Sequence, residues 1–208
     1  MEIIEFLKPY LELSALLLGL INGLILLQRY LRDKPHLVAK TRDDSYFQCF
    51  CRLPDGEYLG NETRKWGFFL YINIINKGLR NVEVSSWYLQ IKLRNGKMTE
   101  MKHMSITNPV IDLGIGDKYL PILGIKSLEF SGETLVRSGQ SIAGIAFYSY
   151  ECYGDESFDP FIDSGIINGK LIVRDVFDKK VSCSCIIPRK DLDHVKTYIP
   201  NIEEFNGI

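Results

Sequence analysis

Two Cys-x-Cys segments are the residues of this chain best suited to chemistry: Cys49 and Cys51, and Cys183 and Cys185. Four thiolates could bind zinc, because the first and last strands of a β-sandwich can lie side by side. However, residues i and i+2 of a strand stand about 7 Å apart, too far for both sulfurs to reach one metal unless a bulge draws them together. Within each pair the cysteines share one strand face: Cys49 and Cys51 alternate with Gln48, Phe50 and Arg52, and Cys183 and Cys185 alternate with Ser182 and Ser184. We therefore predict that they pack in the core, with metal or redox chemistry as the alternative.

An acidic loop, "GDESFDPFIDSG", is a second candidate, for a hard cation such as calcium. Its carboxylates are Asp155, Glu156, Asp159 and Asp163. Calcium takes six to eight oxygen ligands, but this spacing matches no known ligand loop. We predict a solvated loop.

The histidines stand in polar contexts without the spacing of a metal or catalytic motif. They are His36, His103 and His194, and we predict that they lie at the surface. The sequence also lacks a nucleophile elbow, a phosphate-binding loop and a dinucleotide fingerprint. These observations predict a protein that is not an enzyme, with no catalytic residue, metal site or cofactor.

Composition describes a globular protein of ordinary character. Of 208 residues, 46% are hydrophobic and 25% are charged, and the net charge is −1. This charge gives no electrostatic case for binding nucleic acid, which needs clustered bases. The five cysteines, an odd number, fit a reducing compartment.

One apolar segment near the N-terminus indicates the cellular location of the protein. No charge occurs from Leu13 to Leu27, and Asn22 is the only amide there. About 20 helical residues cover roughly 30 Å, the thickness of a bilayer's hydrocarbon core. A soluble helix would show a polar face, and a cleaved signal peptide would have a basic start and a small-residue cleavage site. We predict an uncleaved transmembrane anchor within an N-terminal segment of residues 1–31, with a helix lying in the membrane interface as an alternative.

Basic residues after this segment predict its orientation. Arg29, Arg32 and Lys34 follow it, whereas Lys8 stands before it. Lys and Arg are retained on the cytoplasmic side of membranes. We expect a single-pass protein of the cell membrane with its N-terminus outside, followed by a basic juxtamembrane connector over residues 32–44 and a cytoplasmic domain.

Small residues repeat every four positions along the predicted anchor. Ala15, Gly19 and Gly23 form a small-xxx-small ridge, and Asn22 lies beside it. In lipid, helices associate where small residues let backbones approach and an amide can bond across. The ridge predicts association with a second copy or with another membrane subunit.

Residues 45–188 read as strands separated by turns, without helical interludes. Trp87, Leu89 and Ile91 alternate with polar residues, and "WGFFLYINIIN" is apolar on both faces. This pattern, with a buried Trp in an early strand, resembles the immunoglobulin-like antiparallel β-sandwich, an architecture that hosts many unrelated functions. Residues 189–208 are expected to form a short helix, with Leu192, Val195 and Ile199 docking on the sandwich, and a tail.

The expected function is that of a membrane-anchored, non-enzymatic module whose cytosolic β-sandwich binds a protein or ligand at the lipid bilayer. The alternative is a ligand-sensing membrane effector whose domain drives association of the transmembrane helices. A third interpretation reverses the topology and makes the sandwich an extracytoplasmic adhesion or envelope domain. Ligand-dependent oligomerisation would separate the alternative from the expected function.

Overall fold

The computed structural model describes residues 2–33, 36–43, 46–58, 61–104, 112–115, 118–121, 134–153, 165–200 and 202. Most of this chain is antiparallel β-sheet. In sequence order, helix α1 (Glu2–Arg32) precedes the strands and helix α2 (Leu192–Lys196) follows them. The strands are β1 (Leu37–Thr41), β2 (Cys49–Arg52), β3 (Gly56–Tyr58), β4 (Asn61–Asn76), β5 (Val82–Lys92), β6 (Met98–Met104), β7 (Asp112–Ile115), β8 (Lys118–Pro121), β9 (Leu135–Val136), β10 (Ser141–Tyr153), β11 (Ile166–Asp175) and β12 (Lys180–Pro188).

Helix α1 contains one segment, Glu12–Leu31, that is long and apolar enough to cross a membrane. Its mean hydropathy is 1.5, and none of it is buried. Leucine is a strong helix former, so the helix needs no tertiary contact to be favoured locally. The prediction of one apolar N-terminal helix is confirmed, while its insertion and orientation stay predictions.

The main sheet has ten strands and is nearly closed into a barrel. Its hydrogen-bonded order is β1-β4-β10-β6-β5-β11-β12, with β2 and β3 also paired to β4 and β9 paired to β5. The end strands β1 and β12 approach each other, where the hydroxyl of Thr41 donates to the carbonyl oxygen of Ser184 at 3.5 Å. Strands β7 and β8 form a separate pair.

The immunoglobulin-like arrangement is not confirmed. A sandwich of that type would keep two separate sheets, but β6 pairs with β5 and also, at Met104 and His103, with β10. This shared strand joins the two halves into one path. In addition, residues 37–41, within the predicted connector, form strand β1 and pair with β4, so the sheet begins before residue 45.

Strand β4 is apolar on both faces because each face is covered. Phe68, Leu70 and Ile72 point into the main core between the two halves of the sheet. Phe69 belongs to a second cluster on the outer face. Gly67 also faces that side, where an added Cβ would lie 3.2 Å from the side chains of Leu53 and Phe147, so a larger residue would not fit without movement.

Strand β5 confirms the predicted alternation. Trp87, Leu89 and Ile91 are buried, and the intervening Tyr88 and Gln90 are half-buried. The alternation changes phase at Ser85, where the pairing with β11 shifts register. The extra residue at this bulge shifts the alternation by one position, so Val84 and Trp87 both face the main core.

The C-terminal segment closes the outer face of the sheet. Val195, Tyr198 and Ile199 are buried against Phe47 and the strands β2, β4 and β10, and Leu192 is partly buried there. The predicted docking of Leu192, Val195 and Ile199 is therefore confirmed. The second cluster also includes Ile202, so packing continues beyond Pro200.

Candidate functional site

The predicted association ridge lies on an open surface of α1. Ala15, Gly19, Asn22 and Gly23 are all exposed. A Cβ added at Gly19 or Gly23 would meet no atom within 4 Å, so the β domain leaves this surface accessible. Residues four apart lie on one side of a helix. The ridge is therefore available to lipid or to another helix.

The end of α1 is connected to the β domain by polar contacts. Of the predicted orienting residues, Arg29 is exposed, Arg32 ends the helix, and Lys34 lies outside the described residues. The carboxylate of Asp33 lies 3.9 Å from the guanidinium of Arg80, in the turn between β4 and β5. The backbone N–H of Lys77, in the same turn, donates to the carbonyl oxygen of His36 at 2.8 Å.

Three turns share this end of the domain, which we call the proximal end. They comprise residues 77–81 between β4 and β5, 137–140 between β9 and β10, and 176–179 between β11 and β12. The strand register places these turns together, because the strand ends next to them pair with one another. The pairs are Leu37 with Asn76, Ser141 with Ile75, Val136 with Val82, and Asp175 with Val84.

The proximal end carries an open cavity of about 490 Å³ beside β9. Its lining includes Thr134, Arg137 and Gln140, which offer one positive charge and polar groups to a ligand. Among the described residues, no group of three or more His, Cys, Asp or Glu side chains could hold a metal ion. The acidic loop with Asp155, Glu156, Asp159 and Asp163 lies outside those residues.

The two Cys-x-Cys pairs face different parts of the core. Cys49 and Cys51 belong to the outer cluster, where the sulfur of Cys49 lies 3.4 Å from the hydroxyl of Tyr198. Cys185 belongs to the main core, and Cys183 packs against it. The predicted sharing of one face within each pair is confirmed. Because the pairs are in separate clusters, the fold does not bring four thiols together.

Burial makes these thiols poor nucleophiles and poor metal ligands. Desolvation raises the pKa of Cys49 to about 11 and that of Cys185 to about 12, and it also raises the pKa of Cys51. The hydroxyl of Tyr198 partly opposes the shift at Cys49 by hydrogen bonding to the sulfur. The thiolate is the reactive form of cysteine, so a raised pKa favours packing over chemistry at neutral pH.

The same shifts predict that stability falls in alkali. Cys49 has a pKa of about 11 in the fold against 9.0 for an unperturbed thiol. Its contribution is therefore fully present below pH 9 and is lost as pH rises through 11, by about 3 kcal/mol at 1.36 kcal/mol per pKa unit. Denaturant unfolding of the detergent-solubilised chain, followed by tryptophan fluorescence from pH 8 to pH 11, measures this. Cys49→Ala should weaken the pH dependence, and identical slopes for the two chains would contradict the assignment.

The histidines lie in three different environments. His36 is exposed, as predicted. His103 and His194 are instead half-buried against aromatic rings: His103 stacks on Trp87 with centroids 4.4 Å apart, and His194 lies 4.2 Å from Tyr46. The polar sequence neighbours gave no indication of these contacts, because the aromatic partners are distant in sequence or on another strand.

Phe177 was not predicted as a surface residue. It is 79% exposed at the β11–β12 turn, the highest value among the exposed large hydrophobic side chains of the described residues. The sequence showed a turn at Asp178, Lys179 and Lys180 but offered no reason to place the preceding Phe177 outside the core. The signal available was the Val-Phe pair directly before three charged residues.

Comparison with known proteins does not show a family for this chain. No protein-family model and no curated protein matches it. Among solved structures, a Bordetella pertussis protein assigned as ApaA shares 10% identity over 76% of this chain and 96% of its own, with a TM-score of 0.30. A FixG-related protein from Vibrio parahaemolyticus shares 12% identity over 76% of this chain and 98% of its own, with a TM-score of 0.28.

A further likeness involves a family 123 glycoside hydrolase from Clostridium perfringens. It shares 12% identity over 75% of this chain but only 27% of its own length, with a TM-score of 0.30. All three TM-scores are 0.30 or lower, so these likenesses indicate neither the fold nor the activity of this chain.

Proposed function

We propose that the chain is a single-pass membrane protein whose β domain acts in the cytoplasm as a non-enzymatic interaction module. The observation that carries this proposal is the exposure of α1: Leu16, Leu20 and Leu24 are each more than half exposed, and none of Glu12–Leu31 is buried. Exposed apolar patches of more than a few hundred Å² mark membrane or protein contacts. A helix that is about 20 residues long and apolar on all sides is most stable inside a bilayer, where lipid covers its side chains.

Two independent features support a cytoplasmic β domain. Arg29 and Arg32 stand at the end of α1 that leads into the domain, as the retention of bases in the cytoplasm requires. None of the five cysteines, all of which lie in the described part of the chain, forms a disulfide bond. Free thiols are typical of a reducing compartment, whereas an extracellular domain would usually pair them.

A pair of engineered cysteines would test this orientation. In a background without the native cysteines, we expect Asn95→Cys, in the exposed turn between β5 and β6, to react with a membrane-impermeant thiol reagent only after cells are permeabilised. The matched variant Glu2→Cys should react in intact cells, since it lies before the span. The opposite labelling pattern would establish the extracytoplasmic domain and overturn this proposal.

The second candidate function is that of a ligand-sensing effector, favoured by the cavity at the proximal end. A ligand bound near Arg137 and Gln140 would contact the end of the domain that is connected to α1. It could then shift association of the helices if it bound the associated form more tightly. Oligomerisation that depends on a small molecule would favour this candidate over a constitutive module.

We predict that enlarging the small residues of α1 weakens helix association. Gly19→Ile or Gly23→Ile should hold the backbones apart, lowering the association constant by about tenfold, on the order of 1–2 kcal/mol. Isoleucine is apolar enough to preserve insertion. Self-association of the isolated helix in a membrane reporter assay, together with crosslinking of the full chain in detergent, measures the effect.

The matched control is Leu17→Ile, which keeps size and apolar character away from the ridge and should leave association unchanged. Equal association of Gly19→Ile, Gly23→Ile and the natural chain would exclude the ridge as a contact between copies.

A further inference from the structure

We propose that the proximal end of the β domain docks on anionic lipid headgroups, with the side chain of Phe177 entering the interface between headgroups and acyl chains. This inference rests on the proposed membrane anchor and adds a second, peripheral contact to it. It assigns a role to an exposed aromatic residue that the fold itself does not use.

The geometry places the turns of the proximal end toward the membrane. The span ends at Leu31 and β1 begins at Leu37, leaving five residues between them. Even fully extended, five residues reach at most about 18 Å. The headgroup layer occupies roughly 5–8 Å on each side of the bilayer, from the difference between its total and hydrocarbon thickness. The domain end nearest to α1 is thus held close to the headgroups.

The contacts at the end of α1 identify which end of the domain this is. Arg80 lies within ion-pair distance of Asp33, and Lys77 is hydrogen-bonded to His36. The β11–β12 turn with Phe177 belongs to the same end, since the N–H of Val176 donates to the carbonyl oxygen of Glu83, three residues after Arg80.

The turn presents Phe177 on a fixed backbone. Asp175 is buried, and one of its carboxylate oxygens accepts the backbone N–H groups of Phe177 at 2.9 Å and Lys179 at 2.8 Å. Asp178 completes the turn with a positive φ of 61°. Because the backbone of this turn is already ordered, less conformational freedom is lost on binding, which favours association.

Apolar and basic side chains surround Phe177 at the proximal end. Val176 is 49% exposed, and Leu79 is 48% exposed on the neighbouring turn. The bases of this end are Lys77, Arg80, Arg137, Arg174, Lys179 and Lys180, and its acids are Asp33, Glu83, Asp175 and Asp178. Six bases against four acids leave a positive excess. Aromatic and aliphatic side chains among Lys and Arg are the composition that binds anionic membrane interfaces.

A tryptophan at the tip would report its depth directly. We would reconstitute the full chain carrying Phe177→Trp into vesicles of phosphatidylglycerol and phosphatidylcholine with brominated acyl chains. Bromine quenches tryptophan only nearby, so a ring about 5–10 Å into the interface should lose roughly twofold in emission relative to unbrominated vesicles. The natural tryptophans, Trp66 and Trp87, are buried and supply the baseline, measured on the unmodified chain.

The matched control is Lys97→Trp, in the exposed turn between β5 and β6. Because β5 runs from the proximal end at Val82 to the opposite end at Lys92, this turn should face away from the membrane. We expect the emission of this control variant to be unaffected by brominated lipid. We also expect Lys179→Glu combined with Lys180→Glu to reduce the quenching measured in the Phe177→Trp chain.

The outcomes separate this inference from the proposed function. If the chain floats with the vesicles but the Phe177→Trp variant is no more quenched than the Lys97→Trp variant, the docking is overturned and the anchor stands. If the chain does not float with the vesicles, the anchor itself fails. Shielding of the introduced tip tryptophan from an aqueous quencher without bromine quenching would indicate a protein contact and overturn lipid docking. Equal quenching in purely zwitterionic vesicles would overturn the role of the bases.

Discussion

Replacing Leu20 and Leu24 with arginine is expected to release the protein from membranes. Both residues lie near the middle of Glu12–Leu31 and are exposed. A charged side chain at the centre of a membrane helix costs about 2.5–3.5 kcal/mol, so the double substitution costs roughly 5–7 kcal/mol. This cost is enough to move a single span out of the bilayer. The share of the chain that floats with membranes on a density gradient measures the effect.

The control for this prediction is Leu20→Ile combined with Leu24→Ile. It keeps apolar character at the same two positions, and the variant should float as the unmodified chain does. If the double arginine variant also remained in the membrane fraction after high-salt washing, the apolar helix would not be what holds the protein there.

Tyr198→Ala is expected to destabilise the outer cluster strongly. Tyr198 is 1% exposed, and its ring centroid lies 5.1 Å from that of Phe47 and 6.3 Å from that of Phe69. Removing a buried aromatic ring from a core costs about 3–5 kcal/mol. We expect a loss of this size in the free energy of unfolding. Faster amide exchange of Val195 and Ile199 should accompany it, since α2 has only five residues and depends on this packing.

Tyr198→Phe is the matched variant. It retains the ring and removes only the hydroxyl that lies 3.4 Å from the sulfur of Cys49. The loss should be about 1 kcal/mol, the usual net value of one hydrogen bond. If the alanine variant were no less stable than the phenylalanine variant, the C-terminal segment would not be closing the sheet.

Local patterns in the sequence predicted the two helices and the long strands β4 and β5. The Leu-rich run of α1, the alternation around Trp87 and the spacing of Leu192 and Val195 each determine a burial pattern within one segment. These features are set by periodicity, so neighbouring residues carry the information. The two-faced strand around Phe68 was likewise predicted, since the absence of a polar face implies cover on both sides.

The closure of the sheet could not be predicted in this way. It depends on β6, where Met104 and His103 pair with β10 while Met101 pairs with β5. The sequence "MTEMKHM" lacks the aromatic and β-branched residues that mark strands, apart from one threonine, so its β structure follows from its partners. The immunoglobulin-like interpretation failed for the same reason, because strand order is a property of distant pairing.

The candidate sites also differ in whether one segment of the sequence is enough to predict them. The association ridge with Gly19 and Gly23 follows from spacing on one helix. By contrast, Cys51 and Cys185 are in different clusters because their strands pack against different parts of the core. The exposure of Phe177 likewise depends on the turn that the hydrogen bonds of Asp175 stabilise. Such features arise only when strands assemble, so a single segment does not encode them.

Alkaline carbonate extraction of membranes, followed by the intact mass of the recovered chain, tests the membrane anchor most directly. We predict that the full chain of 23.9 kDa stays in the membrane pellet and is released only by detergent. A shorter chain in the supernatant, cut after the apolar segment, would show that α1 is a cleaved signal sequence. The full-length chain in the supernatant would show that α1 does not span the bilayer, and either result would contradict the anchor.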